Sequence, residues 1–361
     1  MKIAYIAETY LTNRSAQSIH VVKICDAFSK KNKLTLLLPK NDIKFTKIKK
    51  EFMLTSKNKF LIKPLLNKKI SNFFHRLYFG FKVSKFLLKN DQDLIITRSF
   101  ICSFFLSTRR IKHIFEIHSE LKGLTKLLMI NLNFINSIYV KKIIFISKAL
   151  KNKFKILNKS KSIVLHDAVD MDNFASIKIN KNKTIKNLAY VGSFHKGKGV
   201  ELVCELARRF KNLNFNIFGD SLGRHYPKLS NLKFHGYIKY NQVPKKLYSS
   251  DILLLPSAKI QFGRSNSVNI SNYNSPLKMF DYLASGKIIV ASKLDGICEV
   301  LKHKYNSIIT GGFEINDWEN SINSILKNNY DLNLIRQNSI KTAKNYTWEK
   351  RVKIITNLKY N

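Results

Sequence analysis

The segment Asn274–Lys287, NSPLKMFDYLASGK, combines a predicted helix start with residues that suit a phosphate. Ser275 fits the helix cap, Pro276 fits the first helical position, and Gly286 fits the position just past the last turn. Free amide groups and the positive end of the helix dipole favour an anion at such a start. The candidate phosphate-binding residues are therefore Ser275, Pro276, Leu277 and Lys278.

Asp281 lies one turn further along this predicted helix, on the face that also carries Leu277 and Lys278. There its carboxylate can accept hydrogen bonds from both hydroxyl groups of a ribose. An ordinary capped helix with an aspartate on its surface has the same pattern and is the alternative interpretation.

A glycine-rich turn, GSFHKGKG from Gly192 to Gly199, follows a predicted strand and leads into a predicted helix. Glycines let the backbone approach a ligand, and a nearby lysine can offset the charge of a pyrophosphate. The spacing matches neither a Rossmann glycine motif nor a Walker A motif. The residues with phosphate-binding potential are Gly192, Ser193, Lys196 and Lys198, and the two lysines compete for one role.

Short apolar runs alternate with helical patterns along the chain, which is typical of parallel α/β domains. The strands predicted in the first half are Ile3–Ala7, Leu34–Leu38, Leu94–Thr97, His113–Ile117 and Ile143–Ile146. Those in the second half are Leu188–Val191, Asn214–Phe218, Leu232–Phe234, Ile252–Leu255, Ile288–Ala291 and Ser307–Ile309. A polar stretch, Ser176–Asn187, separates the two series, so we expect two consecutive domains joined near residues 167–187.

Ligands of open parallel sheets bind beyond the carboxyl ends of the strands. In the first half, the residues at those positions are Glu8, Arg98, His118 and Ser147. In the second half they are the pairs at 192–193, 219–220 and 256–257. We expect the two rims to face each other across an interdomain cleft.

The composition indicates a folded and very basic protein. The chain has 361 residues, 45 % of them hydrophobic, and its 64 Lys+Arg against 23 Asp+Glu give a formal net charge of +41. The length suits two domains, and the apolar fraction excludes a disordered chain. Four scattered cysteines predict neither a disulfide framework nor a zinc ribbon. No segment predicts a signal peptide or a transmembrane helix, so we expect a cytoplasmic protein.

Positive charge is concentrated in the first half of the chain, above all in Lys40–Lys89, where basic residues alternate with aromatic and aliphatic ones. Such a segment suits the headgroup region of an anionic membrane. Nucleic-acid binding and the codon usage of an AT-rich genome are the alternatives. Because the chain lacks a zinc-finger spacing, an RNA-recognition signature and a run of arginines, we expect a membrane surface and no nucleic acid as partner.

Together these segments resemble glycosyltransferase family four, the retaining nucleotide-sugar enzymes with the GT-B fold, over most of the chain. YVGSFHKGKGVELV resembles the family's strand, glycine-rich turn and lysine, and SPLKMFDYLASGKIIVAS resembles its phosphate and ribose helix. NLKFHGYIKYNQVPKKLYSSDILLLPS resembles its base-binding segment. Nearer the start, SAQSIHVVKICDAF, DLIITRSF, FEIHSE, FISKALK and VLHDAVDMDNF match in order. The terminal YTWEKRVKII resembles a final helix that crosses back to the first domain.

The resemblance implies an α/β fold of the GT-B class, with two Rossmann-like parallel-sheet domains. Residues 1–168 would form the acceptor-binding domain, residues 169–345 the nucleotide-sugar-binding domain, and residues 346–361 the returning helix. The catalytic residues would be His118 at the transferring sugar, Lys198 at the donor diphosphate and Asp281 at the ribose. The donor-binding residues would be Gly192, Ser193, Lys196, Tyr237, Ile238, Ser275, Pro276, Leu277 and Lys278. The acceptor-side residues would be Ser15, Ala16, His20 and Arg98.

Three positions depart from the family's pattern. Tyr273 stands where the first glutamate of a Glu-x7-Glu pair is expected, Asp281 replaces the second, and Ser193 replaces a frequent arginine. The Asp-x-Asp strings at Asp91–Asp93 and Asp170–Asp172 fit a turn and an interdomain segment better than a metal site. We therefore expect neither a metal ion nor another cofactor.

The expected function is retaining, metal-independent transfer of a hexosyl-type sugar from a nucleotide sugar to a lipid-linked or cell-surface polysaccharide, such as capsule or lipopolysaccharide. The expected partners are this donor, a glycan or glycolipid acceptor, and the anionic inner face of the cytoplasmic membrane, where the protein would be peripheral. The alternatives are a catalytically weak partner subunit that binds nucleotide sugar, and another GT-B enzyme such as a sugar-nucleotide epimerase.

Overall fold

The computed structural model describes the chain except residues 12–14, 68, 122, 124–125, 128–132, 155, 157, 175–183, 262–268 and 359–361. The chain forms two compact units. Unit 1 comprises Met1–His166 and Trp348–Asn361, and unit 2 comprises Asp167–Thr347. Each unit is built on one parallel sheet with helices, which confirms the predicted class of two Rossmann-like domains of the GT-B type.

Unit 1 contains a seven-stranded sheet in the order β3-β2-β1-β4-β5-β6-β7, with every pairing parallel. Its strands are β1 Lys2–Ile6, β2 Lys33–Leu38, β3 Leu61–Pro64, β4 Leu94–Thr97, β5 His113–Ile117, β6 Val140–Phe145 and β7 Ser162–Val164. The order reverses between β1 and β4, and the crevice beyond their carboxyl ends is the favoured ligand position of such a sheet.

The described helices of unit 1 include α1 Ala16–Ser29, α2 Phe45–Glu51, α3 Phe73–Lys89, α4 Phe100–Thr108, the short helix Lys148–Lys151 and the last helix Trp348–Asn357. α3 packs its buried face, with Phe79, Val83 and Leu87, against the sheet. The last helix packs against α1, although more than 300 residues separate them in the chain. Unit 1 therefore contains both the first strand and the last helix of the chain.

Unit 2 contains a six-stranded parallel sheet in the order β10-β9-β8-β11-β12-β13. Its strands are β8 Asn187–Val191, β9 Asn214–Phe218, β10 Leu232–Phe234, β11 Ile252–Leu255, β12 Ile288–Ala291 and β13 Ile308–Ile309. Its described helices are Val200–Arg209, Val243–Tyr248, Leu277–Ser285, Asp295–Cys298, Ile315–Leu326 and Leu332–Ala343. Buried apolar residues cover both faces of the sheet, as a parallel sheet requires.

Each predicted strand overlaps an observed one, although the bounds differ by up to three residues, as at β6, where Ile143–Ile146 was predicted. β3 and β7 were not predicted, because both are half-buried or exposed edge strands with little apolar signal. Most of the polar stretch Ser176–Asn187 lies outside the described residues, and Asn187 itself begins β8. Among the residues that are described, no helix combines the length and the apolar character needed to cross a bilayer.

Candidate functional site

Helix Leu277–Ser285 begins one residue later than predicted. Pro276 has extended backbone, with φ −72° and ψ 129°, and serves as the cap residue, so the prediction of Ser275 as cap and Pro276 as first helical residue is wrong. The reason is that proline fixes φ but leaves ψ free to remain extended. Ser275 is buried, and its Oγ has no hydrogen-bond partner among the described residues. Gly286 ends the helix in the left-handed region, with φ 62°, as predicted.

Lys278, in the first turn of this helix, reaches back over strand β8. Its Nζ lies 3.9 Å from the centroid of the Tyr190 ring. A Cβ atom at Gly192 would lie 2.7 Å from the same Nζ, so a side chain there would displace the lysine from its present position. The ammonium group therefore lies at the carboxyl end of β8, where the sheet order of unit 2 reverses.

Lys198 lies close enough to Lys278 for the two charges to repel. Burial, and after it the charge of Lys198, hold the pKa of Lys278 well below its ordinary value. Burial also lowers the pKa of Lys198 to about 8. In the described part of the chain, no ion pair joins either lysine to an acid. Two neighbouring ammonium groups without a carboxylate, at the start of a helix, form a site for an anion.

The glycine-rich turn is held against the segment after β11. Gly197 has φ 81°, and a Cβ there would lie 2.2 Å from the Ile260 carbonyl oxygen. The carbonyl of Gly197 accepts a 3.0 Å hydrogen bond from the Ala258 amide. Lys198 is half-buried behind this contact, whereas Lys196 is exposed. Of the two competing lysines, Lys198 is thus the one beside Lys278.

Two contacts between glycines shape the edge beside Lys278. A Cβ at Gly219 would lie 2.0 Å from the Gly192 carbonyl oxygen, and the Gly219 amide donates to the Gly236 carbonyl at 2.9 Å. Tyr237 and Ile238 follow directly and are half-buried. Ser193 is exposed, and its carbonyl accepts a 2.7 Å hydrogen bond from the Tyr190 hydroxyl. The ends of β8, β9 and β10 therefore form one backbone-lined edge.

Asp281 is buried, so its interpretation as a surface residue is wrong. It is 6 % exposed, and its Oδ1 accepts a 3.4 Å hydrogen bond from the Tyr240 hydroxyl. Burial, followed by the charges of Asp281 and Asp170, raises the pKa of Tyr240. The next residue, Tyr282, fastens the helix to β8 because its hydroxyl accepts a 2.9 Å hydrogen bond from the Val191 amide. Tyr240 was not predicted, since a loop tyrosine carries no spacing signal.

In unit 1 the central group is Glu116, a fully buried glutamate on β5. Its Oε1 lies 2.6 Å from Nη2 of Arg351, 2.8 Å from Nε2 of His118 and 3.1 Å from Nε2 of His20. Its Oε2 accepts a 2.8 Å hydrogen bond from the Tyr5 hydroxyl. Although burial opposes ionisation, the charge of Arg351 and the hydrogen bond from His118 hold the pKa of Glu116 well below its usual range.

His118 lies at the carboxyl end of β5, with its side chain 18 % exposed. Burial, and after it the charge of Arg98, lower its pKa to about 3, so the imidazole is neutral at physiological pH. Nε and Nη1 of Arg98 are buried and have no hydrogen-bond partner in the part of the chain that is described. Arg98 therefore presents an uncompensated charge beside His118.

The other acceptor-side residues lie on α1. Ser15 is its cap and accepts a 3.4 Å hydrogen bond from the Ser18 amide, and Ala16 is exposed at the first position. His20 is only 2 % exposed. Its ring packs edge-on against His118, with centroids 4.6 Å apart, and against Trp348, with centroids 5.0 Å apart. His20 therefore supports His118 from behind and does not face solvent.

The sequence singled out His20, His118 and Arg98 but missed Glu116 and Arg351. The available signal was a glutamate inside the otherwise apolar strand HIFEI. A buried strand carboxylate needs a cationic or hydrogen-bonding partner, but nothing in the sequence identifies that partner as Arg351 on the last helix. Ligand atoms of His20, Glu116 and His118 lie within 4.8 Å of one another. However, Arg351 already neutralises the carboxylate, which makes these three residues a poor cation site.

Comparison with known proteins shows a family match over part of the chain and a fold match over nearly all of it. Residues 172–346 match the family model for "Glycosyl transferases group 1". An uncharacterized glycosyltransferase of Methanocaldococcus jannaschii is 24 % identical over 58 % of this chain and 57 % of its own length. An uncharacterized 41.2 kDa protein in the cps region of Klebsiella pneumoniae is 27 % identical over 55 % of this chain and 54 % of its own. The chain thus spans just over half the length of these curated relatives.

Among solved structures, HepE of Anabaena in complex with UDP-glucose has a TM-score of 0.72 to this chain at 15 % identity. The similarity covers 99 % of this chain and 98 % of HepE. At this identity the similarity shows the fold alone, and it extends over both units.

Proposed function

We propose that this chain, whose residues 172–346 match the family model for group 1 glycosyl transferases, transfers a sugar from a nucleotide sugar to a glycan or glycolipid acceptor. The observation that carries the proposal is the pair Lys198 and Lys278 at the start of helix Leu277–Ser285, beside Gly192. A nucleoside diphosphate supplies the negative charge that this site lacks. The structure of Anabaena HepE with UDP-glucose supports a nucleotide sugar as the donor class.

The proposed reaction breaks the bond between the sugar C1 and the donor phosphate oxygen, and forms a bond between C1 and an acceptor hydroxyl oxygen. Negative charge grows on the leaving diphosphate, where Lys198, Lys278 and the helix amide groups stabilise it. C1 passes through an oxocarbenium-like state. The departing phosphate takes the acceptor's proton on the same face of the sugar, so the anomeric configuration is retained and no metal is required.

The nucleoside is proposed to lie along the glycine-lined edge of unit 2. Backbone at Tyr237 and Ile238 receives the base, and Asp281 accepts from the ribose hydroxyl groups. Tyr240 already holds one oxygen of Asp281, which orients the carboxylate.

The proposed acceptor is a lipid-linked glycan of the capsule or lipopolysaccharide type. The relative in the cps region of Klebsiella pneumoniae favours a surface polysaccharide. Unit 1 is proposed to bind the acceptor near Ser15, Ala16 and Arg98, with His118 contacting the transferring sugar. The buried nitrogens of Arg98 that have no partner among the described residues suit an acceptor that carries negative charge.

Helix α3 provides a surface for an anionic membrane. Every third or fourth residue of one helix face is exposed, and this exposed stripe consists of Phe74, Tyr78, Phe81, Lys85 and Leu88. Phe74 is 76 % exposed and Leu88 is 55 % exposed, whereas the opposite face packs in the core. Aromatic and aliphatic side chains flanked by lysines suit the headgroup boundary. We therefore propose that the protein is peripheral on the inner face of the cytoplasmic membrane.

Donor binding is tested by a thermal-shift screen of the full chain against nucleotide sugars, because a ligand of the folded state raises Tm by mass action. The matching donor is then used to compare Lys198→Ala with Lys196→Ala in a transfer assay. We expect kcat/KM to fall about 10²- to 10³-fold for Lys198→Ala and less than threefold for the exposed control. A loss below tenfold for Lys198→Ala contradicts its proposed role, and the absence of any stabilising nucleotide sugar contradicts the proposed donor.

Membrane binding is tested by sedimentation with vesicles. The full chain should sediment with vesicles that contain phosphatidylglycerol and remain in solution with neutral ones, and salt should weaken the binding. Replacing Phe74 and Leu88 by serine should reduce sedimentation, whereas Leu334→Ser, an exposed leucine in unit 2, should leave it unchanged. Equal binding to both kinds of vesicle contradicts the proposal.

A further inference from the structure

Glu116 can only accept hydrogen bonds in this structure. Nη2 of Arg351 lies 2.6 Å from its Oε1, and the arginine side chain is 3 % exposed. The same guanidinium donates from Nη1 to the backbone carbonyls of Leu165 and His166, which fixes its position. With this permanent cation and the Tyr5 hydroxyl on its two oxygens, Glu116 stays an ionised carboxylate.

An ionised carboxylate dictates which nitrogen of His118 carries the proton. Nε2 of His118 lies 2.8 Å from Oε1 of Glu116, so this nitrogen must be the donor. Burial and the charge of Arg98 keep the ring neutral, with a pKa of about 3. A neutral imidazole holds one proton, which leaves Nδ1 of His118 as an acceptor. Among the described residues, Nδ1 has no hydrogen-bond partner.

We propose that Glu116 is a positioning residue: it holds His118 in the tautomer protonated on Nε2, so that Nδ1 accepts a hydrogen bond from a hydroxyl group of the transferring sugar. The part that concerns the sugar rests on the proposed transfer function, whereas the tautomer is a property of the free protein. A fixed acceptor orients one hydroxyl, and it contributes at the reacting sugar only while the tautomer is correct.

The last helix completes this arrangement. Arg351 keeps Glu116 ionised, and Trp348 packs edge-on against His20, which in turn packs edge-on against His118. Glu116 therefore fixes the proton of His118, and His20 and Trp348 fix the orientation of its ring. Contacts from Glu116, His20 and Trp348, which are far apart from one another in the sequence, thus restrict the His118 side chain at the rim of unit 1.

A second buried histidine on β5 provides an internal control. Nδ1 of His113 lies 2.9 Å from the Ile111 carbonyl, which can only accept, so His113 carries its proton on Nδ1. Its Nε2 lies 2.8 Å from the Ser103 hydroxyl, which then donates. Burial lowers the pKa of His113 to about 4, so this ring is neutral as well. His113, which begins β5, and His118, which follows its last residue, should therefore be opposite tautomers.

The test is ¹⁵N NMR of the full chain labelled at histidine, at pH 7, with long-range ¹H–¹⁵N correlation. Assignments come from the signals lost in His118→Asn and His113→Gln. We expect a protonated Nε2 and a bare Nδ1 for His118, and the reverse for His113. A His118 ring that is charged, or protonated on Nδ1, overturns the proposal, as does stoichiometric binding of Zn²⁺ by His20 and His118.

Glu116→Gln tests the consequence, because an amide can donate as well as accept. We expect His118 to become a mixture of tautomers while His113 is unchanged. In the transfer assay kcat should fall about 10²-fold, with donor KM changed less than threefold because the donor site lies in unit 2. A folded Glu116→Gln variant with the wild-type tautomer and kcat overturns the proposal. If this variant does not fold, the tautomer of His118 in the wild-type chain decides the question alone. NMR needs no turnover, so a failure of the transfer function is distinguished from a failure of this inference.

Discussion

Arg351 and Glu116, which are 235 residues apart in the chain, form a buried ion pair with Nη2 2.6 Å from Oε1. The arginine belongs to the last helix, and the glutamate belongs to the central part of the sheet in unit 1. Because both side chains are almost completely removed from water, neither charge can be solvated if its partner is lost. The last helix therefore contributes to the stability of unit 1 and of its candidate site.

Replacing Arg351 by methionine should destabilise the protein strongly. The change leaves Glu116 buried without its cation, and we expect the free energy of unfolding to fall by about 3–5 kcal/mol. The matched control is Glu349→Gln on the same helix, because Glu349 pairs with Lys30 at a partly exposed position. That change should lower the free energy of unfolding by less than about 1 kcal/mol. Urea denaturation measures both, and equal effects of the two variants would contradict the account of the buried pair.

Two glycine substitutions separate backbone strain from steric overlap. Gly197 and Gly223 have φ 81° and 77°, but an added Cβ would strike the Ile260 carbonyl oxygen at the first and meets nothing within 4 Å at the second. Gly223→Ala should lower the free energy of unfolding by about 1 kcal/mol, through backbone strain alone. Gly197→Ala should lower the free energy of unfolding by more than this. It should also weaken nucleotide binding, because it displaces the turn that carries Lys198. Calorimetric titration with a nucleoside diphosphate should show that loss for Gly197→Ala only, and unchanged affinity would contradict this role of the turn.

Affinity for a nucleoside diphosphate should fall as the pH rises through about 8. Lys198 has a lowered pKa of about 8 in the free protein, so it loses its positive charge above that pH, whereas a bound diphosphate favours the charged form. We expect a decrease of up to about tenfold per pH unit, which is the limit for one proton. Lys198→Arg keeps the charge over this range and should weaken this pH dependence. Calorimetric titration between pH 7 and 9.5 measures the effect, and an affinity that rises over this range contradicts it.

Stability should fall on acidification below about pH 6.5. Burial lowers the pKa of His113 to about 4 and that of His118 to about 3, from an ordinary value of 6.5. Below the ordinary value the unfolded chain binds more protons than the folded one, so each histidine contributes a slope of about 1.4 kcal/mol per pH unit. Urea denaturation between pH 6 and 4.5 measures this slope. His113→Gln keeps hydrogen-bonding groups but does not titrate, so it should remove the contribution of His113 to this slope. An unchanged slope would contradict the lowered pKa of His113.

The sheets of both units were predictable because buried parallel strands are short, uniformly apolar runs. β11 and β12 were located to the residue for this reason. The edge strands β3 and β7 were missed because one or both of their faces are open to water, so solvent exposure removes the pattern. The start of helix Leu277–Ser285 was misplaced by one residue, since a proline there fits either the cap or the first turn.

The candidate site was predictable where function depends on local spacing, and not where it depends on distant contacts. The glycine turn and the helix start lie within short segments, so the sequence pointed to Lys278 and to the two competing lysines Lys196 and Lys198. Glu116 and its partner Arg351 are 235 residues apart in the chain, and Tyr240 and its partner Asp281 are 41 residues apart. No periodicity encodes such pairs, so only the folded structure identifies them.

The most direct test of the account is transfer itself, followed by ¹H NMR of the product. The full chain is incubated with the nucleotide sugar that stabilises it most and with a lipid-linked glycan acceptor. We expect one nucleoside diphosphate to be released for each acceptor consumed, and the new glycosidic bond to have the anomeric configuration of the donor. An inverted product, or a donor that binds tightly but releases no diphosphate in the presence of acceptors, would contradict retaining transfer at the site of Lys198 and Lys278.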